Sequence, residues 1–133
     1  MNIISNKSVT LKDKKVLFND IVSVLSSKKS ISIIDINGEM LNIADEKMIK
    51  KFNDKLAEKS NFVYFENRYI NADLIKSIKV ATNMANKIYD IVVDFGGRKE
   101  IFSSDSESAA NIKKKDLLAA IEKSKQANAG LTK

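Results

Sequence analysis

The sequence predicts an α+β fold of antiparallel sheets, built as two tandem repeats that each run β-β-β-β-α within one compact body. Three features of the sequence support this prediction. Short segments in which apolar and polar residues alternate are separated by turn residues, as in antiparallel strands. Each half of the chain closes with apolar residues at helical spacing. The strand-like segments also recur in the same order in both halves, which indicates an internal repeat.

The two halves align over most of their strand-like segments. Residues 9–16 align with residues 63–70 at an offset of 54, and residues 33–38 align with residues 92–97 at an offset of 59. The change of offset corresponds to five extra residues in the second half. Three residue types match in the same order: Ser23 with Ser77, Asp35 with Asp94, and Gly38 with Gly97. This order favours a structural repeat over two unrelated hairpins.

The domain boundaries follow from the repeat and from the chain length. The chain contains no proline, so no proline marks a linker, and Asn61 is the natural seam between the halves. A unit of about 50 residues buries little surface by itself. We therefore expect one domain over residues 1–133, with repeat one at 8–59, repeat two at 62–126 and a flexible tail at 127–133.

The first strands are predicted on either side of the turn Lys12-Asp13-Lys14. Val9 and Leu11 alternate with polar residues before the turn, and Val16 and Phe18 resume the alternation after it. Alternation interrupted by a short polar turn is typical of a β-hairpin. Residues 9–18 are therefore predicted to form a hairpin with an apolar face.

Two further hairpins are predicted at glycine-containing turns. Ile34 and Ile36 fall on one face of a strand and Asp35 on the other, and the strand ends at Asn37-Gly38. Asn-Gly suits a two-residue type I′ turn because both central residues need a positive φ, and Gly96-Gly97 meets the same demand. Before that second turn the predicted core face is Tyr89, Ile91, Val93 and Phe95.

A helix is predicted at the end of each repeat. The first begins at Asp45, a favourable N-cap residue, and runs to about Lys59. Its predicted apolar stripe is Met48, Ile49, Phe52 and Leu56. The second helix opens at residues 104–107, where Ser104 and Glu107 have the spacing of a capping box. Its predicted stripe is Ala109, Ala110, Leu117, Leu118 and Ile121.

Composition excludes several kinds of chemistry. The sequence has no His and no Cys, which removes the usual metal ligands and the Ser-His and Cys-His nucleophile pairs. Asp35 and Asp94 are the one pair of carboxylates that the repeat relates. Their strand phase places them opposite the core face, where a cross-strand lysine is the simplest partner. We expect a non-enzymatic protein without metal or cofactor.

Charge and hydropathy indicate where in the cell the protein acts and what kind of partner it binds. The net charge is +6, and residues 1–60 and 61–133 each contribute +3, so the excess is spread along the chain. Such an excess is compatible with a nucleic acid or another polyanion. Since no apolar run approaches the roughly 20 residues that span a bilayer, and residues 1–7 lack a signal-peptide pattern, we expect a cytoplasmic protein.

The candidate contact residues lie where hairpins turn. Cations at these turns would contact phosphates, and neighbouring tyrosines would stack on bases. The predicted nucleic-acid-binding residues are Lys12, Lys14, Lys15, Tyr64, Arg68, Tyr69, Arg98 and Lys99. The run at residues 113–115, which is three consecutive lysines, is expected to form a solvated helix face.

The segment Asn61-Phe62-Val63-Tyr64-Phe65-Glu66-Asn67-Arg68-Tyr69-Ile70-Asn71-Ala72-Asp73-Leu74-Ile75-Lys76-Ser77-Ile78 resembles part of a LytTR-type DNA-binding domain. The resemblance extends over residues 8 to about 104 and implies a mostly-β regulator that inserts loops into the major grooves of DNA. Two segments depart from the family pattern. Phe65 and Glu66 stand where that family carries His followed by Arg or Asn, and Ser103-Ser104-Asp105 replaces its later Ser-Arg motif.

The repeated order of strands and helix is also similar, in topology, to the PUR and whirly binders of single-stranded nucleic acid. The sequence therefore predicts a nucleic-acid-binding protein, with DNA the expected ligand, acting as a transcription regulator or as a single-strand binder. The alternative is a structural or assembly protein of a viral particle or larger complex, in which exposed strand edges pair between subunits of a homo-oligomer.

Overall fold

The computed structural model describes residues 3–11, 14–27, 29–83 and 85–131. The chain separates into two compact units, residues 1–71 and residues 72–133, which we call the N-terminal and C-terminal units. Both units combine antiparallel sheets with an α-helix. The predicted α+β class with antiparallel sheets is therefore confirmed.

The N-terminal unit contains two antiparallel sheets. Its elements are β1 (Ile3–Ile4), β2 (Ser8–Leu11), β3 (Lys14–Leu17), a 3₁₀ helix (Phe18–Asp20), β4 (Ile21–Ser26), β5 (Ile31–Asp35), β6 (Met40–Ile43), α1 (Glu46–Ala57), β7 (Phe62–Phe65) and β8 (Arg68–Asn71). One sheet has the order β1-β2-β3 and the other the order β6-β5-β4-β8-β7. The predicted hairpin at residues 9–18 is present, with Val9 opposite Val16.

The core of the N-terminal unit forms between the sheets and α1. Helical spacing buries Ile49, Phe52 and Leu56 on one side of α1. The rings of Phe18 and Phe52 stack with centroids 5.6 Å apart, and each buried phenylalanine contributes roughly 1.5–3 kcal/mol. The predicted N-cap is confirmed, because Asp45 Oδ1 accepts hydrogen bonds from the backbone N–H of residues 47 and 48.

The C-terminal unit is one antiparallel sheet covered by a long helix. Its elements are a 3₁₀ helix (Ala72–Leu74), β9 (Ser77–Asn83), β10 (Ile88–Asp94), β11 (Lys99–Ser104) and α2 (Glu107–Leu131), with sheet order β11-β10-β9. Ile91, Val93 and Phe95 are buried as predicted, whereas Tyr89 is half-buried. On α2 the buried apolar residues include Ala110, Leu117 and Ile121.

Two predictions about α2 need correction. Leu118 is 46% exposed, because it lies about 100° around the helix from the buried Leu117. The cap is Ser106 and not Ser104, since Ser106 Oγ accepts the backbone N–H of Ala109 at 3.1 Å while Ser104 ends β11. The helix extends to Leu131.

The predicted glycine turns differ from the observed ones. In the turn after β5, Gly38 has φ +85° but Asn37 does not have a positive φ, and Asp35 N–H bonds to Glu39 O. This is a three-residue connection with its glycine in the left-handed region, so the type I′ prediction is wrong there. Ile36 lies in this connection and is 41% exposed, not on a core face.

The turn after β10 is also not of type I′. Gly96 has φ +93°, Gly97 does not have a positive φ, and Phe95 N–H bonds to Arg98 O. A positive φ at the first central residue is the type II′ pattern. The type I′ pattern occurs instead between β7 and β8, where Glu66 and Asn67 have φ of 50° and 67°.

The order of elements recurs along the chain, but the strand pairing does not. From β2 and from β7, each half runs through two strands, a 3₁₀ helix, three strands and an α-helix. However, β8 pairs with β4, so residues 62–71, expected to open repeat two, complete the five-stranded sheet of the N-terminal unit. Its sequence counterpart, the β2–β3 hairpin, pairs with β1. The structure therefore does not confirm two equivalent repeats.

Candidate nucleic-acid interface

The two predicted stacking residues form one cross-strand pair. Tyr64 on β7 lies directly opposite Tyr69 on β8, and their ring centroids are 5.0 Å apart at an interplanar angle of 60°. Tyr69 is half-buried against the core of the N-terminal unit, whereas Tyr64 is 59% exposed. Edge-to-face contact holds Tyr64 in place and leaves its surface available to a planar group. The geometry is therefore suited to stacking on a base.

The tip of this hairpin carries an acidic residue. Glu66 and Asn67 are the two central residues of the turn and both are exposed. Arg68 follows them as the first residue of β8, half-buried and opposite Phe65 and Leu25 in the sheet. Arg68 is therefore not at the turn, where the sequence predicts it: the tip carries the carboxylate of Glu66, and the guanidinium belongs to the strand.

The predicted lysines of the first hairpin lie on β3. Lys14 and Lys15 are exposed and pair in register with Leu11 and Thr10. Consecutive strand residues project to opposite faces, so these two lysines do not present one patch. Lys12, the third predicted cation of this hairpin, lies outside the described residues.

The remaining predicted cations belong to the C-terminal unit. Arg98 is half-buried and closes the β10–β11 turn through its carbonyl oxygen. Lys99 is exposed and lies opposite Asp94 in the sheet. Of the eight predicted residues, the structure thus brings Tyr64 and Tyr69 into contact and places Arg98 and Lys99 on another unit.

The paired aspartates act as turn caps. Asp35 is 6% exposed, and its Oδ1 accepts the backbone N–H of Asn37 and of Glu39, each at 2.9 Å. Asp94 Oδ1 accepts the N–H of Gly96 at 2.8 Å. The expected lysine partner of Asp35 is therefore replaced by backbone donors. Over residues 3–11, 14–27, 29–83 and 85–131, no group of three or more His, Cys, Asp or Glu is placed to hold a metal.

The lysine run on α2 is only partly solvated. Lys113 is half-buried, and its Nζ donates to the carbonyl oxygen of Ser103 on β11 at 3.3 Å. Lys114 is half-buried and Lys115 is exposed. The expectation of a solvated face is thus wrong for Lys113, which is half-buried. In the part of the chain that the structure describes, no helix is long and apolar enough to span a membrane.

A second group of cations, which the sequence analysis did not single out as a site, borders α1. Lys47 and Lys51 line a shallow cavity of about 210 Å³ together with Ile4 and Met48. A second cavity, of about 290 Å³, is lined by Asn6, Lys7, Leu17, Phe18, Asn19 and Lys59. The four-residue spacing of the lysines on α1 could have indicated this group of cations from the sequence alone. The part that residues 4–7 play in lining the cavities could not, because it depends on tertiary contacts.

Comparison with known proteins gives a similarity in structure. No family model matches the chain, and no curated protein matches it. Among solved structures, the chain is similar to the LytTr DNA-binding domain of a response regulator from Bacillus cereus. The two share 18% sequence identity with a TM-score of 0.45, and the match covers 80% of this chain and 95% of that domain. These findings do not assign the chain to a family.

Proposed function

We propose that this protein is a non-enzymatic DNA-binding protein that acts in transcription regulation. The observation that carries the proposal is uncompensated positive charge on the N-terminal unit. Exposed lysines there include Lys14, Lys15, Lys47 and Lys51. Within the described residues, the side chains of these four form no ion pair and no hydrogen bond. Such cations are available to neutralise phosphates and release their counterions.

Two carboxylates of the same unit are held by backbone donors. Asp35 and Asp45 accept backbone N–H groups, one in a turn and one at the start of α1. The carboxylates that would be candidates for acid-base chemistry, Asp35 and Asp94, are both held by backbone donors within their own turns. This use of the carboxylates supports binding and not catalysis.

The proposed contacts are of two kinds, stacking on bases and ionic contacts to phosphates. Tyr64, supported by Tyr69, stacks on a base, which is worth roughly 1–3 kcal/mol per base and tolerates any sequence. The proposed phosphate contacts are Lys12, Lys14, Lys15, Arg68, Arg98 and Lys99. Residues 61–78 resemble a LytTR-type domain, but Glu66 stands at the hairpin tip where that resemblance implies a cation. We therefore propose binding through phosphates and stacking, with modest sequence preference.

The proposal is tested by a salt titration of binding to a labelled DNA duplex and to one of its single strands, followed by fluorescence anisotropy. Affinity should fall steeply with salt, because each phosphate contact contributes about 0.9 to the slope of log K against log salt on duplex DNA. Lys14→Glu/Lys15→Glu should weaken binding several-fold and flatten this slope.

The matched control is Lys123→Glu/Lys125→Glu, which makes the same change in net charge at two exposed positions of α2. It should weaken binding less than the β3 variant. Absence of wild-type binding to either DNA at about 50 mM salt would contradict the proposed function. The relative affinities for duplex and single strand decide which form is bound.

A second candidate function, assembly with other subunits, is favoured by β9. This seven-residue strand is at the edge of its sheet, and Lys79, Ala81, Thr82 and Asn83 are exposed. An edge strand carries N–H and C=O groups that another chain could pair with. Light scattering across a concentration series would favour assembly if the mass rises with concentration while DNA binding is absent.

A further inference from the structure

We propose that one side of α1 is a separate contact surface for the DNA backbone, an inference that rests on the proposed function. We call this surface the α1 lysine flank. It consists of Lys7, Lys47, Lys51, Lys55 and Lys59. Lys7 lies in the turn between β1 and β2, and the other four follow one another along the chain. None of the five is among the predicted contact residues or in the tyrosine pair, so the flank adds a phosphate-binding surface that operates independently of base stacking.

The spacing of the helical lysines produces a regular row. Lys47, Lys51 and Lys55 follow one another on α1 at intervals of four residues, and Lys59 continues the interval just beyond Ala57, where α1 ends. Each helical interval advances about 6 Å along the helix axis, so the helical part of the row extends over about 12 Å. One strand of duplex DNA presents a phosphate about every 3.4 Å along its axis. A row of this length lies beside several successive phosphates.

The tertiary structure orients the last two lysines of the row. Lys55 Nζ donates to Asn6 Oδ1 and also lies 3.9 Å from Glu58 Oε2. Lys59 Nζ donates to the carbonyl oxygen of Asn6 at 2.7 Å and lies 4.5 Å from the centroid of the Phe18 ring. These contacts hold two ammonium groups along the border between α1 and the segment that precedes β2.

Two shallow cavities border the flank, and each is lined by a pair of lysines. The cavity at Ile4 and Met48 includes Lys47 and Lys51, and the cavity at Leu17 and Phe18 includes Lys7 and Lys59. A recess lined by two ammonium groups offers an anionic oxygen more than one donor. The cavities lie near the two ends of the row, so a single extended polyanion could use both.

Neighbouring charges distinguish this side of α1 from the other. Lys51 lies between Lys47 and Lys55 at four residues in each direction, whereas Lys50 lies between Glu46 and Asp54. Residues three or four apart are neighbours on a helix surface, and like charges there are destabilising. Counting both spacings, Lys50 has two acidic neighbours and one lysine, whereas Lys51 has two lysines and one acidic neighbour, Asp54. Local helix stability therefore favours Lys50 but not Lys51. A polyanionic partner would relieve the repulsion within the row.

The flank fits a nucleic-acid backbone better than a lipid surface. A helix that lies on a membrane inserts its apolar face into the headgroup region. The apolar face of α1, formed by Ile49, Phe52 and Leu56, is buried in the N-terminal unit. The flank therefore offers positive charge without an apolar face that could insert into a membrane. Binding to a phosphate backbone requires the charge and does not require the apolar face.

The test compares Lys51→Gln with Lys50→Gln in the full chain. Both variants lose one positive charge from adjacent, exposed positions on different sides of the same helix. With a labelled random-sequence duplex, Lys51→Gln should weaken binding several-fold at low salt and reduce the slope of log K against log salt by about 0.9. Lys47→Gln/Lys51→Gln should reduce it by about 1.8. Lys50→Gln should leave the slope unchanged, and Lys51→Arg should bind like the wild type.

The possible outcomes separate the inference from the proposed function. If the wild type binds and Lys50→Gln and Lys51→Gln weaken binding equally, the flank has no special role and the proposed function stands. If Lys51→Gln loses binding to anionic phospholipid vesicles and not to DNA, the inference is overturned in favour of a membrane. If the wild type binds no DNA, the proposed function fails and the inference with it. Circular dichroism of each variant verifies that α1 is intact.

Discussion

Asn71 shows how one side chain connects segments that are far apart in sequence. Its amide is fully buried; Nδ2 donates to the carbonyl oxygen of Ile21 at 3.0 Å, and Oδ1 accepts from Asn61 Nδ2 at 3.0 Å. The bond to Ile21 joins the end of β8 to the start of β4 across 50 residues. Buried polar groups of this kind are costly when a partner is missing. Asn71 is thus a structural residue that joins these strands.

Replacing Asn71 with Ala should destabilise the N-terminal unit by about 1–3 kcal/mol, because the buried carbonyl of Ile21 loses its donor. Urea unfolding followed by circular dichroism measures the change. Asn42→Ala is the control on the same sheet, since Asn42 is exposed and accepts one hydrogen bond from Ser32 Oγ at 2.8 Å. Equal losses for the two variants would contradict the structural role of Asn71.

At the scale of elements, α1 combines a stabilising start with a destabilising row of charges. Asp45 caps its N-terminus through two backbone N–H groups, an interaction worth typically about 1 kcal/mol. The lysines at intervals of four residues oppose this, because each like-charged pair weakens the helix by a few tenths of a kcal/mol. The helix is held chiefly by its buried face, Ile49, Phe52 and Leu56.

The same two variants that test DNA contact should therefore change stability in opposite directions. Lys51→Gln removes two like-charge pairs and one favourable pair with Asp54, so it should stabilise α1 by about 0.2–0.5 kcal/mol. Lys50→Gln removes two favourable pairs and one like-charge pair with Lys47, so it should destabilise α1 by a similar amount. Thermal unfolding at low salt measures both, and high salt should shrink both differences. A Lys51→Gln variant that is more stable yet binds DNA less tightly would separate function from folding.

At the scale of the whole molecule, the two units differ from the two repeats that the sequence indicates. The N-terminal unit includes the β7–β8 hairpin, which covers the edge of β4, and ends at residue 71. The C-terminal unit contains three paired strands and α2. The positive charge is nonetheless divided evenly, since residues 1–71 and residues 72–133 each carry a net +3. Each unit has charge available for a polyanion.

A comparison of two fragments tests where the N-terminal unit ends. The fragment of residues 1–71 retains all five strands of its larger sheet, whereas a fragment of residues 1–59 lacks β7 and β8 and leaves β4 as an open edge. We expect the longer fragment to unfold cooperatively in urea and at a higher midpoint than the shorter one. If the shorter fragment is equally stable, repeat one is an independent unit and the hairpin is peripheral to it.

Much of the local structure could be predicted from the sequence, because it depends on contacts within a few residues. Alternation identified the buried Val9 and Val16, and helical spacing identified Phe52 and Leu56. The N-cap Asp45 could be predicted for the same reason, because its hydrogen-bond donors are the backbone N–H groups two and three residues later. The turns were less predictable: Gly38 and Gly96 adopt the expected positive φ, but the neighbouring residue in each turn does not.

The sequence by itself determined the α+β class, the positions of most core residues, the lack of His and Cys and the even positive charge. The tertiary structure decided which strands pair and which cations share a surface. It moved the hairpin at residues 62–71 onto β4 and brought Asn6 to Lys55 and Lys59, 49 and 53 residues away. These outcomes depend on how distant segments pack. Several strands of this chain have the same alternation of apolar and polar residues, so the pattern alone does not decide which of them pair.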